Sequence, residues 1–470
     1  MQVLLINPPQ RVNKNFIDYP PFVSLGLWHT AAYLKSIGYE VKLLDSFAQK
    51  DSEVKTSKSC PEYYHLGISE EYLLSEIDKI DFDCVIIHLT PFIIQEPDRK
   101  SLNSIVKRIK LAHPQKKVIG IDAYIGGMNY IAYKAEELIE GEHSLDFIVR
   151  YESEEQLPEL LKELGSDSHI KKKVIDGKAL MRLPDLSDLP YRMVDLDAFS
   201  TFADRFYKEV NRNDPFGFNG DSIAVKASRG CPFNCCFCSS QAAGDSADKG
   251  WRGISTSDIE AQLNYLSKIK PNAKLVLLDE SANSNRRHFK SFLALASKYR
   301  FKIEIPNGLR ADLLDRDLLI QLKHMISILS ISPESGNQLM LDHCINKKQK
   351  LHHVERVAKD CAEIGLPLAA HFIIGFPTET AQQINETFSL ARKLFENYKV
   401  NPWIQFAIPV PGTPLYENTK RRGLLPDNEP SDLNPHFQGK PYLKDGACGI
   451  ANNELVSMLK NFYQSIGTRQ

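Results

Sequence analysis

Short apolar runs alternate with helical stretches through the first 165 residues, and this alternation limits the fold more than any other feature of the chain. Five runs have the length of buried strands: residues 3–6, 41–44, 84–89, 117–121 and 146–150. Strands that are apolar on both faces and separated by helices are typical of a parallel sheet covered by helices on both sides. The sequence therefore predicts a doubly wound α/β domain over residues 1–165.

A second alternation begins near residue 221. Six strand candidates lie at residues 222–228, 274–280, 301–307, 326–332, 367–375 and 402–411, with helical stretches between them. Six strand–helix units without a dinucleotide-type glycine turn predict a partial (β/α)6 TIM barrel over residues 221–415. Residues 166–220 are polar and marked by prolines, as expected of an interdomain linker, and residues 416–470 form a C-terminal extension.

Net charge and cysteine distribution limit the partners and the cellular location expected for the protein. The net charge of −1 gives no general attraction to nucleic acid or to anionic membranes, so neither is an expected partner. No apolar run approaches the roughly 18 residues of a membrane span, and the first residues form a strand instead of a signal peptide. Four of nine cysteines stand in one octapeptide, which indicates metal binding in a reducing, cytoplasmic setting.

That octapeptide, CPFNCCFC, places Cys231, Cys235 and Cys238 in a C-x3-C-x2-C arrangement directly after the first barrel strand. A structural zinc site takes four ligands, whereas an iron–sulfur cluster held by three cysteines leaves one iron open to a substrate. A zinc knuckle that recruits Cys236 or a distant histidine is the alternative. Barrel active sites lie at the carboxyl ends of strands, so the three cysteines are predicted to be catalytic metal ligands.

With its flanks, KASRGCPFNCCFCSS (226–240) resembles the signature of the radical S-adenosylmethionine (radical SAM) superfamily. Later strand ends resemble further motifs of that superfamily in the same order: LLDE (277–280), PNGLRAD (306–312), SPESGNQLML (332–341), HFIIGFPTET (371–380) and IPVPGTPLYE (408–417). The resemblance implies a 4Fe-4S cluster on the three cysteines, with S-adenosylmethionine (SAM) on the open iron. One electron, from a reductant such as flavodoxin or ferredoxin, would then release a 5′-deoxyadenosyl radical that takes a hydrogen atom from the substrate.

The same resemblance assigns cofactor-binding roles. Phe237 would shield the cluster, Asp279 or Glu280 would accept from the SAM amino group, and Arg310 would reach its carboxylate. Glu334 and Ser335 would pack on the ribose and methionine, and Gly375 and Pro377 would lie near the adenine. Simpler roles stay open: a solvated strand end for the acidic pair, a surface ion pair for Arg310, a helix cap at 334–335 and turn geometry at 375–377.

The order of a flavodoxin-like (Rossmann-type) domain, a linker and a radical barrel resembles the cobalamin-binding-domain class of the superfamily. Residues 7–9, 26–41, Asp45 and 150–164 align with that class in order. Departures from the class include the missing D-x-H-x-x-G motif, which many members of the class also lack. A weightier departure is Arg150-Tyr151-Glu152-Ser153-Glu154, which replaces the usual Gly-Glu-Gly-Glu. Loss of both glycines adds bulk where backbone would approach the corrin tail. Cobalamin binding and a scaffold that has lost it both stay open.

The leading hypothesis is a radical SAM enzyme that acts on a small molecule or peptide, as a cobalamin-dependent C-methyltransferase in specialised metabolism. The runner-up is a cobalamin-free radical SAM enzyme that dehydrates, rearranges or cyclises its substrate. An iron–sulfur redox sensor or electron carrier is the alternative from another class, although it does not account for the later strand-end motifs. His371, Gln405 and Tyr416 are candidates for side chains that face the barrel interior.

Overall fold

The computed structural model describes residues 1–15, 23–94, 99–123, 133–140, 144–166, 170, 172–178, 180, 183, 186, 188–210, 216–241, 250–427 and 439–467. The strands of the first part are β1 (Gln2–Asn7), β2 (Gln10–Asn13), β3 (Glu40–Asp45), β4 (Glu53–Thr56), β5 (Tyr63–Gly67), β6 (Cys84–His88), β7 (Lys117–Ile121), β8 (Phe147–Arg150) and β9 (Val174–Asp176). Its helices are α1 (Leu25–Ser36), α2 (Glu70–Ile77), α3 (Arg99–Ala112), α4 (Glu136–Ile139) and α5 (Gln156–Leu164).

Six of these strands form a parallel sheet in the order β3-β1-β6-β7-β8-β9. Alternate residues of each strand point to opposite faces, so the continuous apolar runs supply two cores. Val3 and Leu5 belong to a cluster with side chains of α1 and α5, whereas Leu4 and Ile6 belong to a cluster with side chains of α2 and α3. The predicted parallel α/β sheet is therefore confirmed, with β9 as an additional strand.

A small antiparallel sheet in the order β2-β5-β4 was not predicted from the sequence. The segments QRVN and EVKT of β2 and β4 are short and mostly polar, so they lack the apolar pattern that marks a strand. Their pairing partner β5 supplies Tyr64 and Leu66 to the core, and β2 supplies Val12.

The segment predicted as a linker contains regular structure. It provides β9 and a helix, α6 (Leu196–Glu209), whose first turn is capped by the Asp195 carboxylate. Phe199, Phe202 and Phe206 share the buried face of α6, and the ring of Phe202 stacks on Phe47 at a centroid distance of 4.6 Å. This aromatic face has helical spacing, so α6 packs against the first sheet region instead of forming an extended connection.

The second part contains β10 (Ser222–Val225), β11 (Ser228–Arg229), β12 (Arg252–Gly253), β13 (Lys274–Leu277), β14 (Lys302–Glu304), β15 (Leu329–Glu334), β16 (Leu368–Ile374) and β17 (Asn401–Phe406). Its helices are α7 (Thr256–Ile269), α8 (Arg286–Lys298), α9 (Arg316–Lys323), α10 (Leu351–Ile364), α11 (Ala381–Tyr398), α12 (Pro414–Arg421) and α13 (Asn452–Ser465). Two parallel sheets, β10-β13-β14 and β15-β16-β17, are linked by a bridge between Leu309 and Ile331. All six strands predicted for this part are present.

Helix α13 covers the outer edge of β17. The Tyr463 hydroxyl accepts a hydrogen bond from the Ile404 N–H at 3.0 Å and donates to the Pro402 carbonyl at 3.3 Å. An edge strand exposes unpaired backbone groups, and this tyrosine satisfies two of them. Within the described ranges, no helix combines the length and apolar character needed to cross a membrane.

Candidate active site

The cysteine loop starts where β11 and β12 pair. Gly230, which separates Arg229 from Cys231, has a φ angle of +81°. A Cβ atom at this position would lie 2.3 Å from the carbonyl oxygen of Gly250, so only glycine fits the turn. The glycine that precedes Cys231 is thus required by the backbone path.

The three predicted ligand cysteines are close enough to affect one another's ionisation. Burial raises the pKa of the Cys231 thiol to about 11 and that of Cys235 to about 12, and a Cys238 thiolate adds to both shifts. Burial also raises the pKa of Cys238. No three His, Cys, Asp or Glu side chains in the described part of the chain converge as ligands of a single ion. Because each cysteine of a cubane cluster binds a different iron, three grouped thiols on one loop fit a 4Fe-4S cluster.

Cys236 differs from its three neighbours. Its N–H donates to the Ile345 carbonyl and its own carbonyl accepts from the Leu415 N–H, both at 2.9 Å. Its side chain packs against an apolar cluster that includes Met340 and Phe376. These contacts direct Cys236 into protein packing and support its interpretation as a residue that does not bind the cluster.

Phe237 packs against the same apolar cluster, with its ring centroid 6.2 Å from that of Phe376. The ring lies between the second and third predicted ligand cysteines in sequence. It therefore provides apolar surface beside them, as a side chain that shields a cluster from water would.

Asp279 joins the end of β13 to the residues that precede the cysteine loop. Its carboxylate accepts from the Ala227 N–H at 2.8 Å and from the Ser228 hydroxyl. Burial raises the pKa of Asp279 to about 6. Both carboxylate oxygens are thus engaged by the protein, and the predicted role of Asp279 toward SAM stays a prediction.

Glu280 reaches the loop directly. One carboxylate oxygen accepts from the Gly230 N–H at 3.0 Å, and the other pairs with the Lys226 ammonium, whose side chain is 2% exposed. Glu280 is the more exposed of the two acidic residues, with a 10% exposed side chain. Glu280 is therefore better placed than Asp279 to accept a hydrogen bond from a cofactor amine. Doing so would weaken its ion pair with Lys226.

Arg310 stacks on the cysteine loop. Its guanidinium lies 3.7 Å from the centroid of the Phe233 ring and donates to the Asp312 carboxylate at 2.9 and 3.1 Å. It also donates twice to the Lys347 carbonyl at 3.2 Å. Arg310 is buried, so the alternative of a surface ion pair is wrong, and its predicted contact with the SAM carboxylate stays a prediction.

Glu334 and Ser335 lie at the end of β15. Glu334 has a φ angle of +67° and forms a buried ion pair with the Lys347 ammonium at 2.8 Å. Ser335 is fully buried, and its hydroxyl accepts from the Asn337 N–H at 3.1 Å. Lys347 also lowers the pKa of Cys235 and Cys238 against the effect of burial, which places its charge beside the cysteine loop. No sequence pattern identified Lys347 as part of this site.

Gly375 begins the turn after β16. It has a φ angle of +83°, and its N–H and that of Phe376 both donate to one carboxylate oxygen of Glu379, at 2.6 and 3.1 Å. Burial raises the pKa of Glu379 to about 7. Glu379 thus holds the turn that contains Gly375 and Pro377, and their predicted contact with adenine stays a prediction. The sequence analysis quoted Glu379 within its motif but gave it no role.

Buried ion pairs connect the cysteine loop with the first sheet. Arg252 donates to both carboxylate oxygens of Glu152, at 2.7 and 2.5 Å. Arg229 pairs with Glu154, and all four side chains are no more than 8% exposed. Glu152 and Glu154 follow β8, so the carboxyl edge of the first sheet faces the loop that carries the cysteines.

Polar side chains line the carboxyl edge of the first sheet. The Asp45 carboxylate accepts from the Asn7 amide at 2.8 Å and from the Trp28 indole N–H at 2.6 Å. The Thr90 hydroxyl donates to the Gln10 amide oxygen at 2.8 Å. Cofactors on such sheets bind at the carboxyl ends of the strands, where these buried amides and hydroxyls lie.

Tyr151 is the residue of this edge that opposes a bulky cofactor. Its φ angle is +62°, in the left-handed region that glycine adopts without strain, and it occupies the first glycine position of the Gly-Glu-Gly-Glu motif. The Arg150 guanidinium lies 4.6 Å from its ring centroid. The polar side chains of this edge could form hydrogen bonds with the amide groups of a corrin. The bulk of Tyr151 does not suit such a ligand.

Comparisons with known proteins find a family match in the second part of the chain. Residues 225–391 match the model of the radical SAM superfamily. An uncharacterized methyltransferase of Pyrococcus horikoshii is 24% identical over 90% of this chain and 84% of its own length. Among solved structures, the cobalamin-dependent S-adenosylmethionine radical enzyme OxsB, with aqua-cobalamin and S-adenosylmethionine bound, has a TM-score of 0.64 at 16% identity, covering 99% of this chain and 66% of its own.

A second structure is the radical S-adenosylmethionine methyltransferase TsrM from Kitasatospora setae, with tryptophan and a SAM analogue bound. It has a TM-score of 0.60 at 14% identity and covers 90% of this chain and 76% of its own. At these identities the structures establish the fold. Residues 225–391 carry a radical SAM domain, and the chain shares its fold with these two solved structures.

Proposed function

We propose that this enzyme transfers a methyl group to an unreactive carbon of a small molecule or peptide, with cobalamin as the methyl carrier. The observation that carries the proposal is the pairing of Glu152 and Glu154 with Arg252 and Arg229. These ion pairs hold the carboxyl edge of the first sheet against the cysteine loop. A methyl carrier on that edge would face a substrate held near the cluster.

The proposed organisation has four parts: a cobalamin-binding-type domain of flavodoxin-like strand order (1–165), a connecting segment (166–220) that adds β9 to the first sheet, a partial TIM barrel built from the two three-stranded sheets (221–415) and a C-terminal extension (416–470). The bridge between Leu309 and Ile331 supports one continuous barrel wall. All nine cysteines are free, which supports the proposed cytoplasmic location.

Cys231, Cys235 and Cys238 would hold the 4Fe-4S cluster, and Glu280 would accept from the amino group of SAM. When bound, the cluster and SAM supply a radical that removes a hydrogen atom from the substrate. The chain's own contribution is positional: Arg310 and Lys347 fix the loop, and Phe237 keeps water from the cluster side. A flavodoxin or ferredoxin is the proposed electron donor.

A cobalamin-free radical reaction, such as dehydration, rearrangement or ring closure, is the second candidate. Tyr151 favours it, because the tyrosine adds bulk at a position where the cobalamin-binding class has glycine. The two candidates share the radical step and differ in whether the first sheet holds a corrin.

The test is anaerobic purification followed by reconstitution with iron, sulfide and hydroxocobalamin, then incubation with SAM and a reductant. Formation of 5′-deoxyadenosine together with corrin absorbance that survives gel filtration supports the methyltransferase. Formation of 5′-deoxyadenosine without retained corrin supports the second candidate. A reduced, cluster-loaded protein that leaves SAM intact contradicts both.

A further inference from the structure

The two sides of β16 and β17 differ in their surroundings. Leu368, Ala370 and Phe372 of β16 are buried in the large apolar core, together with side chains of α10 and α11. The residues between them face the opposite way because strand side chains alternate. The helices therefore cover one face of this sheet, and the other face is the inner wall of the barrel.

That inner wall is accessible. His371 and Ile373 of β16 and Trp403 of β17 are only partly buried, and Gln405 is exposed, although each lies between fully buried neighbours. The parallel register places His371 beside Trp403 and Ile373 beside Gln405. Here these four residues are called the inner face.

Two rings of the inner face form a flat surface. The ring centroids of His371 and Trp403 are 6.2 Å apart, and their planes differ by 29°. Neighbouring rings in nearly parallel planes suit contact with another planar group, which could extend the stack. The flanking Ile373 adds apolar surface on the same side.

His371 also offers an unused hydrogen-bonding atom. Its Nε2 is shielded from solvent and has no hydrogen-bond partner among the residues that the structure describes. Ser330 lies on the adjacent strand, in register with Ala369. Its hydroxyl is also shielded from solvent and has no hydrogen-bond partner among the described residues. Buried polar atoms without partners are costly, so a ligand that pairs with them would gain binding energy.

The inner face lies close to the cysteine loop. Lys347, whose charge also lowers the pKa of Cys235 and Cys238, contributes with burial to lowering the pKa of His371 to about 4. One ammonium therefore lies near both the imidazole and the thiols. The imidazole is neutral at physiological pH, and Lys347, the ammonium that acts on it, is already paired with Glu334.

From this geometry we propose that the inner face binds the substrate through an uncharged planar group that stacks on Trp403 and forms a hydrogen bond with His371 Nε2. The chemical class is an aromatic or conjugated group that carries an amide, a hydroxyl or a ring nitrogen. A carboxylate in the same place would have to compete with Glu334 for the Lys347 ammonium, which is unfavourable. This assignment rests on the proposed radical function, because it names where the substrate of that reaction lies.

The test uses full-length, cluster-reconstituted protein labelled with 5-fluorotryptophan. The chain has three tryptophans, so three fluorine resonances are expected, and Trp→Phe variants assign them. Benzamide is the probe for an uncharged planar group with hydrogen-bonding atoms, and benzoate is its charged counterpart. Benzamide should shift the Trp403 resonance in a saturable way and leave that of Trp28, which is buried in the core, unchanged. Benzoate should bind more weakly.

His371→Phe keeps a ring but removes the hydrogen-bonding atom, and it should weaken benzamide binding about three- to tenfold, as expected for one neutral hydrogen bond. His371→Gln should recover part of that loss. His352→Phe, at an exposed position on α10, is the matched control and should leave binding unchanged. An unshifted Trp28 resonance verifies that each variant is folded.

Equal benzamide binding by the wild type and His371→Phe, or a benzoate affinity that matches that of benzamide, overturns the assignment. The proposed function is measured separately, as 5′-deoxyadenosine formed by the wild type from SAM and a reductant. If the wild type makes none while benzamide binding depends on His371, the binding face stands and the proposed function falls. The reverse pattern overturns the binding face alone.

Discussion

Arg252 and Glu152 are a hundred positions apart in the chain and form a buried, two-pronged ion pair at 2.7 and 2.5 Å. Arg252 belongs to β12, the pairing partner of the strand that enters the cysteine loop. Glu152 follows β8 of the first sheet. Although burial alone would raise it, the pKa of Glu152 is held below its ordinary value by Arg252 and Arg229. The pair thus links the first sheet with the cysteine loop.

Glu152→Gln should destabilise the protein by about 3–5 kcal/mol, because it leaves the Arg252 guanidinium buried without a counter-charge. Thermal unfolding followed by circular dichroism measures the effect. Lys208→Ala, which breaks an exposed ion pair with Asp204, is the control and should change stability by less than about 1 kcal/mol. Equal shifts in the two variants would show that the buried pair does not hold the first sheet against the cysteine loop.

Glu379 should make stability fall as the pH rises. Burial raises the pKa of this carboxyl to about 7 in the folded protein, from 4.5 in the unfolded chain. The folded state therefore binds the Glu379 proton more tightly than the unfolded chain does. The stability gained from this proton is complete below pH 4.5 and is lost as the pH rises through 7. Glu379→Gln keeps an acceptor oxygen for the Gly375 and Phe376 N–H groups without the ionisation.

The Glu379→Gln variant should accordingly match the wild type at pH 4.5 and exceed it by about 3 kcal/mol at pH 8. Melting temperatures of both proteins across this range provide the measurement. A constant difference at every pH would mean that the substitution acts through packing and that the carboxyl does not titrate in this range.

The four cysteines of the loop should separate into two groups. Cys231→Ala, Cys235→Ala and Cys238→Ala should each reduce bound iron and visible absorbance severely after reconstitution, because each removes a proposed ligand. Cys236→Ala should retain the wild-type iron content, since its side chain packs against the Met340 and Phe376 cluster. Loss of iron in Cys236→Ala alone, or in all four variants alike, would contradict this ligand assignment.

The sequence predicted the parallel strands well because strands buried on both faces have continuous apolar runs. It did not predict β2 and β4, whose polar residues carry no such pattern, or α6, whose aromatic face lies between proline-marked stretches. For the site, local motifs located the cysteine loop and the strand ends. The residues that contact those motifs could not be predicted. Nothing in a single sequence shows that Lys347 pairs with Glu334 or that Arg229 pairs with Glu154.

Lys347 should raise the reduction potential of the cluster, because a positive charge beside it favours the added electron. Lys347→Met should lower the midpoint potential, measured by redox titration with electron paramagnetic resonance. The neighbouring Lys348 is exposed, so Lys348→Met is the control and should leave the potential nearly unchanged. A potential that is unaffected by Lys347→Met in a protein with full iron content would show that the Lys347 side chain serves only to pair with Glu334.

Tyr151 should decide how well the first sheet retains cobalamin. Its left-handed backbone costs about 1 kcal/mol for a residue other than glycine, and its ring fills space beside Arg150. Tyr151→Gly removes both obstacles, so hydroxocobalamin retained after gel filtration should increase over the wild type. Tyr151→Ala removes the ring and keeps the backbone strain, which separates the two effects. If neither variant retains more corrin than the wild type, Tyr151 is not the obstacle; if both do so equally, the bulk of the ring is what limits binding.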